Sequence, residues 1–151
     1  MKFNIPKVVR VLSMADYAPE MAEAVIHVWV NPPREKVKVY YDLLADALVA
    51  QKAIAEGTKK IQELEEKGEP VEDVRADVNN SVERLTVAGN QIVAWMAEIW
   101  SQGSDPESRW TVEEIDRLIK DSRDTDPQLW AWLTARTRDL IIEHRSKQKK
   151  T

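Results

Sequence analysis

The longest regular signal in the chain is a three-and-four spacing of residues after Pro33. Val37, Tyr40, Leu44, Ala47, Gln51, Ile54, Thr58 and Ile61 fall on one helical face, helped by Tyr41, Leu48 and Leu64. The spacing predicts a helix from about Arg34 to Lys67, with Pro33 at or near its first position. Gly57 is a soft point within it, costing on the order of 1 kcal/mol relative to alanine. Lys67-Gly68-Glu69-Pro70 reads as a stop and a restart, with glycine just past the helix end and proline beyond. A second row then runs through Val71, Val74, Val78, Ser81, Leu85, Ala88, Ile92, Trp95 and Ile99. Two such rows joined by a tight turn predict an antiparallel helical hairpin over residues 34–102. Its tip around Gly68 is crowded with charge and belongs in water, whereas the bulky residues gather at its base.

Before the hairpin the period changes to two. In Ala24–Val30, Ile26, Val28 and Val30 face one way and Val25, His27 and Trp29 the other, which predicts a strand with one aliphatic face in a core. Asn31-Pro32-Pro33 ends it, since proline cannot donate to a ladder. Residues 3–12 are β-branched and loosely alternating, and read as an edge strand or two short extended pieces. After the hairpin, a break at Gly103 and a turn at Asp105-Pro106 lead to Trp110. Thr111 and Glu114 form a capping box for a short helix with Val112, Ile115, Leu118 and Ile119 on one face, ending near Ser122–Asp124. Asp126 and Pro127 suit the N-cap and first position of a last helix, whose stripe is Leu129, Trp130, Leu133, Thr137, Leu140 and Ile141. The fold class is α+β and predominantly α: a β-rich part (1–33), the helical hairpin (34–102) and a C-terminal helix pair (110–148), in a single domain.

Composition narrows the function more by exclusion than by assignment. The absence of cysteine removes disulfides, thiolate nucleophiles and thiolate metal sites. The four glycines are isolated, so no phosphate-cradling loop is present. His27 and His144 are far apart in sequence, and neither has a second histidine or paired carboxylate at ligand spacing. They read as a structural strand residue and a helix-end cation. The acidic run Asp121–Asp126 lacks the glycine of a calcium loop and carries proline instead, so capping explains it better. Ser101, Ser104 and Ser108 lack the setting of a nucleophile. No catalytic residue, cofactor site or metal site is assigned. The net charge of −4 gives no reason to expect nucleic acid. The basic end, Arg145, Lys147, Lys149 and Lys150, reads as a solvated tail. No apolar run is long enough for a signal peptide or a spanning helix, so the expected location is the cytoplasm.

Six tryptophans in 151 residues is a high count, so their placement matters. Trp95, Trp100, Trp110 and Trp130 read as the cement between the hairpin base and the C-terminal helices. Trp130 and Trp132 are two apart and do not share a helix face. Trp132, and Trp29 on the less aliphatic strand face, therefore stand between two readings: core, or partner surface.

The order of these segments resembles the tail assembly chaperones of long-tailed bacteriophages and prophages. The resemblance is carried by the strand AVIHVWV, the helical middle, the segment IVAWMAEIWSQGSDPESRWT, the capped helix VEEIDRLI and the helix after Asp126-Pro127. The long hairpin departs from it. The resemblance implies a non-enzymatic protein of the host-cell cytoplasm that binds the long helical tape-measure protein during tail assembly and is then shed. The implied contacts are Tyr41, Leu44 and Leu48 with the indoles Trp29 and Trp132. Each hairpin arm has two faces to cover, so self-association is expected as well. Two other readings stand beside it: a structural or adaptor component of a phage or other assembly, and a small helical nucleic-acid-associated regulator using the basic tail.

Overall fold

Ile26, Val28 and Val30 are almost wholly buried, and the alternation that puts them inside makes this segment the inner-facing strand of a two-stranded sheet. The computed structural model describes residues 4–101 and 109–149. The described elements are β1 (Val9–Ser13), β2 (Val25–Trp29), α1 (Arg34–Glu66), α2 (Glu72–Trp100), α3 (Val112–Thr125) and α4 (Leu129–Lys149). Two single turns of 3-10 helix, Met14–Asp16 and Pro19–Met21, join the strands. The α+β, predominantly helical class read from the sequence is the observed one. The turn expected at Gly103 to Asp105-Pro106 lies outside the described residues, as do Ser104 and Ser108. The chain divides into two compact units, residues 1–34 with 93–151, and residues 35–92.

In the first unit β1 and β2 pair antiparallel, with Val9 opposite Trp29 and Ser13 opposite Val25. The first strand is shorter than residues 3–12, and Asn31 shows why. Val30 N–H still donates to Val8 O, but at the next rung the Asn31 side chain replaces the backbone. Its Oδ1 accepts from Val8 N–H at 2.7 Å, and its Nδ2 donates to Pro6 O at 3.0 Å. The ladder is closed off there by a side chain, ahead of Pro32. At the other end, Ser13 Oγ accepts from Ala15 N–H, and Met14 N–H donates to Ala24 O, closing the connection between the strands.

α4 packs on both strands and on α3. Leu129, Leu133, Thr137, Leu140 and Ile141 are buried along the stripe expected from their spacing, with Trp130 half-buried beside them. Thr137 looks out of place in an apolar row until its partner is seen. The Trp100 indole, with no exposed surface, donates to Thr137 Oγ1 at 3.0 Å, and that hydroxyl donates to Leu133 O at 2.8 Å. A buried polar group keeps its cost low only by such pairing. Trp110 and Trp130 pack edge-on to Trp100 with ring centroids 5.3 and 6.0 Å away, an arrangement aromatic quadrupoles favour. Ser101 Oγ accepts from Trp110 N–H and donates to Trp110 O, which ties the end of α2 to the residue before Thr111. At α3, Glu114 N–H donates to Thr111 Oγ1, and Thr111 Oγ1–H donates to Glu114 Oε1. Val112, expected on the buried face of α3, is exposed, because the helix is covered only from Ile115 onward.

The second unit is the hairpin, α1 against the first part of α2. Its turn is a Schellman motif. Glu69 N–H reaches Leu64 O, Gly68 N–H reaches Glu65 O, and Gly68 sits at φ 68°, a conformation open to glycine. The α2 row is covered as expected: Val71, Val74, Val78, Ser81, Leu85 and Ile92 are half-buried and Ala88 is buried. The α1 row differs in register beyond Ala47. Gln51 and Thr58 are exposed, and Ala50 and Gly57 take their places in the seam. A strict heptad would have kept the later positions in phase; the observed row instead takes one extra three-residue step. Small residues drive this. A Cβ placed on Gly57 would come within 2.3 Å of Val78 Cγ2, so Val78 packs into space that only glycine leaves open. Gly57 is therefore a packing position as well as a soft point in the helix.

Candidate functional site

On α1, three of the five residues singled out for partner binding share one face. Tyr41, Leu44 and Leu48 follow the i, i+3, i+7 spacing that places side chains in one stripe. Tyr41 is 43% exposed and Leu48 65%, and Leu44 between them is half-buried. Leu48 faces solvent because the seam with α2 is supplied by Ala47 and Ala50 on the next face round. The stripe continues through Ala55 and Gln62, so the apolar part is confined to two turns.

The two indoles are placed otherwise, both in the first unit. Trp29 is 9% exposed, which corrects the reading of it as a surface anchor. Its Nε1–H donates to Asn31 Oδ1 at 2.9 Å, and the Lys7 ammonium stands 4.6 Å above its ring centroid. The less aliphatic strand face is thus covered at Trp29, though not at Val25, and the polar tip of the indole is satisfied by the residue that ends the strand. Trp132 is half-buried, its ring centroid 5.1 Å from that of Tyr17. Tyr17 in turn donates its hydroxyl to Asp126 Oδ2 at 2.5 Å. That hydrogen bond, helped by partial burial and the nearby carboxylate charge, raises the Tyr17 pKa above its ordinary value. Asp126 Oδ1 accepts from Gln128 N–H, so one carboxylate starts the last helix and anchors the segment between the strands. Trp132 therefore offers only part of its ring.

Several surface residues escaped the sequence reading. Val39, Val49, Val82 and Val87 are each about half exposed on the hairpin. Counting outward from the seam would have found Val49, which lies between Ala45 and Lys52 on the face turned from α2. A shallow groove of about 480 Å³ runs beside the seam, lined by Asp46, Asn80, Glu83, Arg84 and Val87 among others. Its mixed charges are side by side and exposed, with no group placed as nucleophile or base. Of the two histidines, His27 is half-buried in β2, where it forms an isolated parallel bridge with Ser101. His144 lies within α4, and its Nε2 is covered, with no hydrogen-bond partner among the described residues. Among the described residues no three His, Cys, Asp or Glu side chains gather closely enough to hold a metal ion, and no helix is long and apolar enough to cross a membrane. The arrangement offers an exposed apolar stripe on a long helix, and the chemistry of such a stripe is association.

No family model, no curated protein and no solved structure matches the chain.

Proposed function

We propose that the protein is a non-enzymatic binding protein of phage or prophage tail assembly, which holds a helical partner such as the tape-measure protein. The observation that supports this reading is the exposed Tyr41–Leu44–Leu48 stripe on a helix of 33 residues. An amphipathic helix laid along α1 would cover it, as apolar helical stripes are covered in helix-and-groove recognition. The partner's own stripe would be shielded from aggregation in the same step. The charged tip of the hairpin keeps the rest of the surface in water.

Leu48→Asp tests the reading. Leu48 is mostly solvent-exposed, so the substitution leaves the fold standing. The chain is co-expressed with the tape-measure protein of the phage or prophage that encodes it, and the complex is weighed by size exclusion with light scattering. The expected result is a complex with the native chain, weakened about tenfold or more by Leu48→Asp through loss of one buried leucine contact. A native chain that forms no complex, or a variant that binds as well as the native chain, defeats the proposal.

A further inference from the structure

The solvent face of α1 carries a second row, about a quarter turn from the Tyr41–Leu44–Leu48 stripe at roughly 100° per residue. It runs Glu35, Lys38, Asp42, Ala45, Val49, Lys52, Glu56, Lys59, with steps alternating three and four throughout. All eight are exposed, Val49 by 57%. On a straight helix such a row drifts by about 20° per heptad, and it comes into line where two helices wrap around each other, as in a coiled-coil seam.

The order of charges in this row has a symmetry. Read backwards, each residue meets one of complementary character. With the row laid antiparallel on itself about a two-fold axis beside residue 47, Glu35 falls opposite Lys59, Lys38 opposite Glu56, Asp42 opposite Lys52, and Ala45 opposite Val49. Every charge in the row meets its opposite, and the two apolar residues meet at the axis. Parallel pairing in register does the reverse, setting each charge against its own copy. We propose that two copies of this chain pair antiparallel through the Glu35–Lys59 row of α1. The pairing is isologous and closes at two copies, as a two-fold axis requires.

The row spans about 36 Å at 1.5 Å per residue. Each surface ion pair contributes little, so the charges fix direction and register while Ala45 and Val49 exclude water at the centre. Lys38 and Asp42 already form a pair along the helix at 2.9 Å, with most of both side chains in water. Pairing exchanges that contact for one across the axis. The apolar centre is small, so the dimer is weak. Tyr41 and Leu48 flank the row, each at three- and four-residue spacing from its members, and the inference does not depend on the tail-assembly reading.

Sedimentation of the full chain over a concentration series tests it, with Asp42→Lys, Lys52→Asp and the double variant. The native chain is expected to dimerise, less at high salt. Each single variant sets like charges opposite each other at two symmetric places, and is expected to weaken the dimer about tenfold. The double variant exchanges the charges and restores native affinity. A native chain monomeric throughout the series overturns the proposal. So does a dimer insensitive to the single variants, or a double variant that stays weak, since only antiparallel pairing at this register predicts rescue. Circular dichroism checks that each variant keeps its helices.

Discussion

Tyr17 ties the loop between the strands to the start of α4, and the structure shifts the titration of its hydroxyl. The hydrogen bond to Asp126, then partial burial and the carboxylate charge, raise its pKa above the ordinary 10.0. The neutral phenol is thus the form the fold favours. The sign follows: the contribution to stability is whole below the unfolded-state pKa and is lost as pH rises through the higher folded-state value. Tyr17→Phe removes the donor. The variant is expected to melt below the native protein at neutral pH, and the gap should close on the alkaline side of pH 10. Thermal melts across that range, with an ultraviolet titration of the phenolate, check it. Equal melting of the two proteins at neutral pH would mean that the hydrogen bond adds nothing and that the ring contact with Trp132, which phenylalanine keeps, holds the segment. At this scale the sequence was legible where partners are close along the chain. The Thr111–Glu114 box is read from a four-residue window. Tyr17 and Asp126, 109 positions apart, carry no such signal, and neither does Asn31 as the cap of a two-stranded ladder.

Helix positions and ends were legible because periodicity and turn chemistry agree. α1 begins at Arg34 as expected and ends one residue before the expected Lys67, with Gly68 in its left-handed cap. What apolar spacing did not reveal was the seam's register beyond Ala47, because it is set by residues without apolar bulk. Ala50 is wholly buried and Gly57 lies against Val78. This makes Gly57→Ala a sharp test. Helix propensity alone favours alanine by about 1 kcal/mol. The added methyl, however, overlaps Val78 Cγ2, and a β-branched side chain on a helix has little rotamer freedom to move away. Overpacking of this kind costs about 1–3 kcal/mol and outweighs the gain. Gly57→Ala is expected to lower the hairpin's stability, and adding Val78→Ala to recover part of the loss, read by chemical denaturation followed by far-ultraviolet circular dichroism. A single variant more stable than native would mean that the close approach is not maintained in solution.

Across the whole molecule, burial is unevenly shared. Among the described residues, the buried apolar side chains of residues 35–92 are Val37, Tyr40, Ala50 and Ala88, and the rest of the core belongs to the first unit. Hydrophobic stabilisation scales with area removed from water, so the hairpin's outer turns hold little beyond their own hydrogen bonds. Local opening should therefore cost least at the tip and rise along α2. Amides of residues 75–85 are expected to exchange with deuterium well before those of 95–100, where Met96, Ile99 and Trp100 are fully covered. The same gradient explains why fold was legible in the sequence and function was not. A buried stripe announces itself by spacing, but an exposed one looks like an overflow of the same spacing until the seam is located. Leu48 and Val49 are adjacent in sequence and exposed alike, yet they lie on different faces of α1. Exchange read residue by residue separates their roles. A bound helical partner should slow exchange around Tyr41–Leu48 in the ligand's presence only. Self-pairing should slow residues 38–56 as protein concentration rises. Uniform protection along α2, unchanged by either, would place the hairpin's stability in its own seam and leave the exposed rows without a partner to hold.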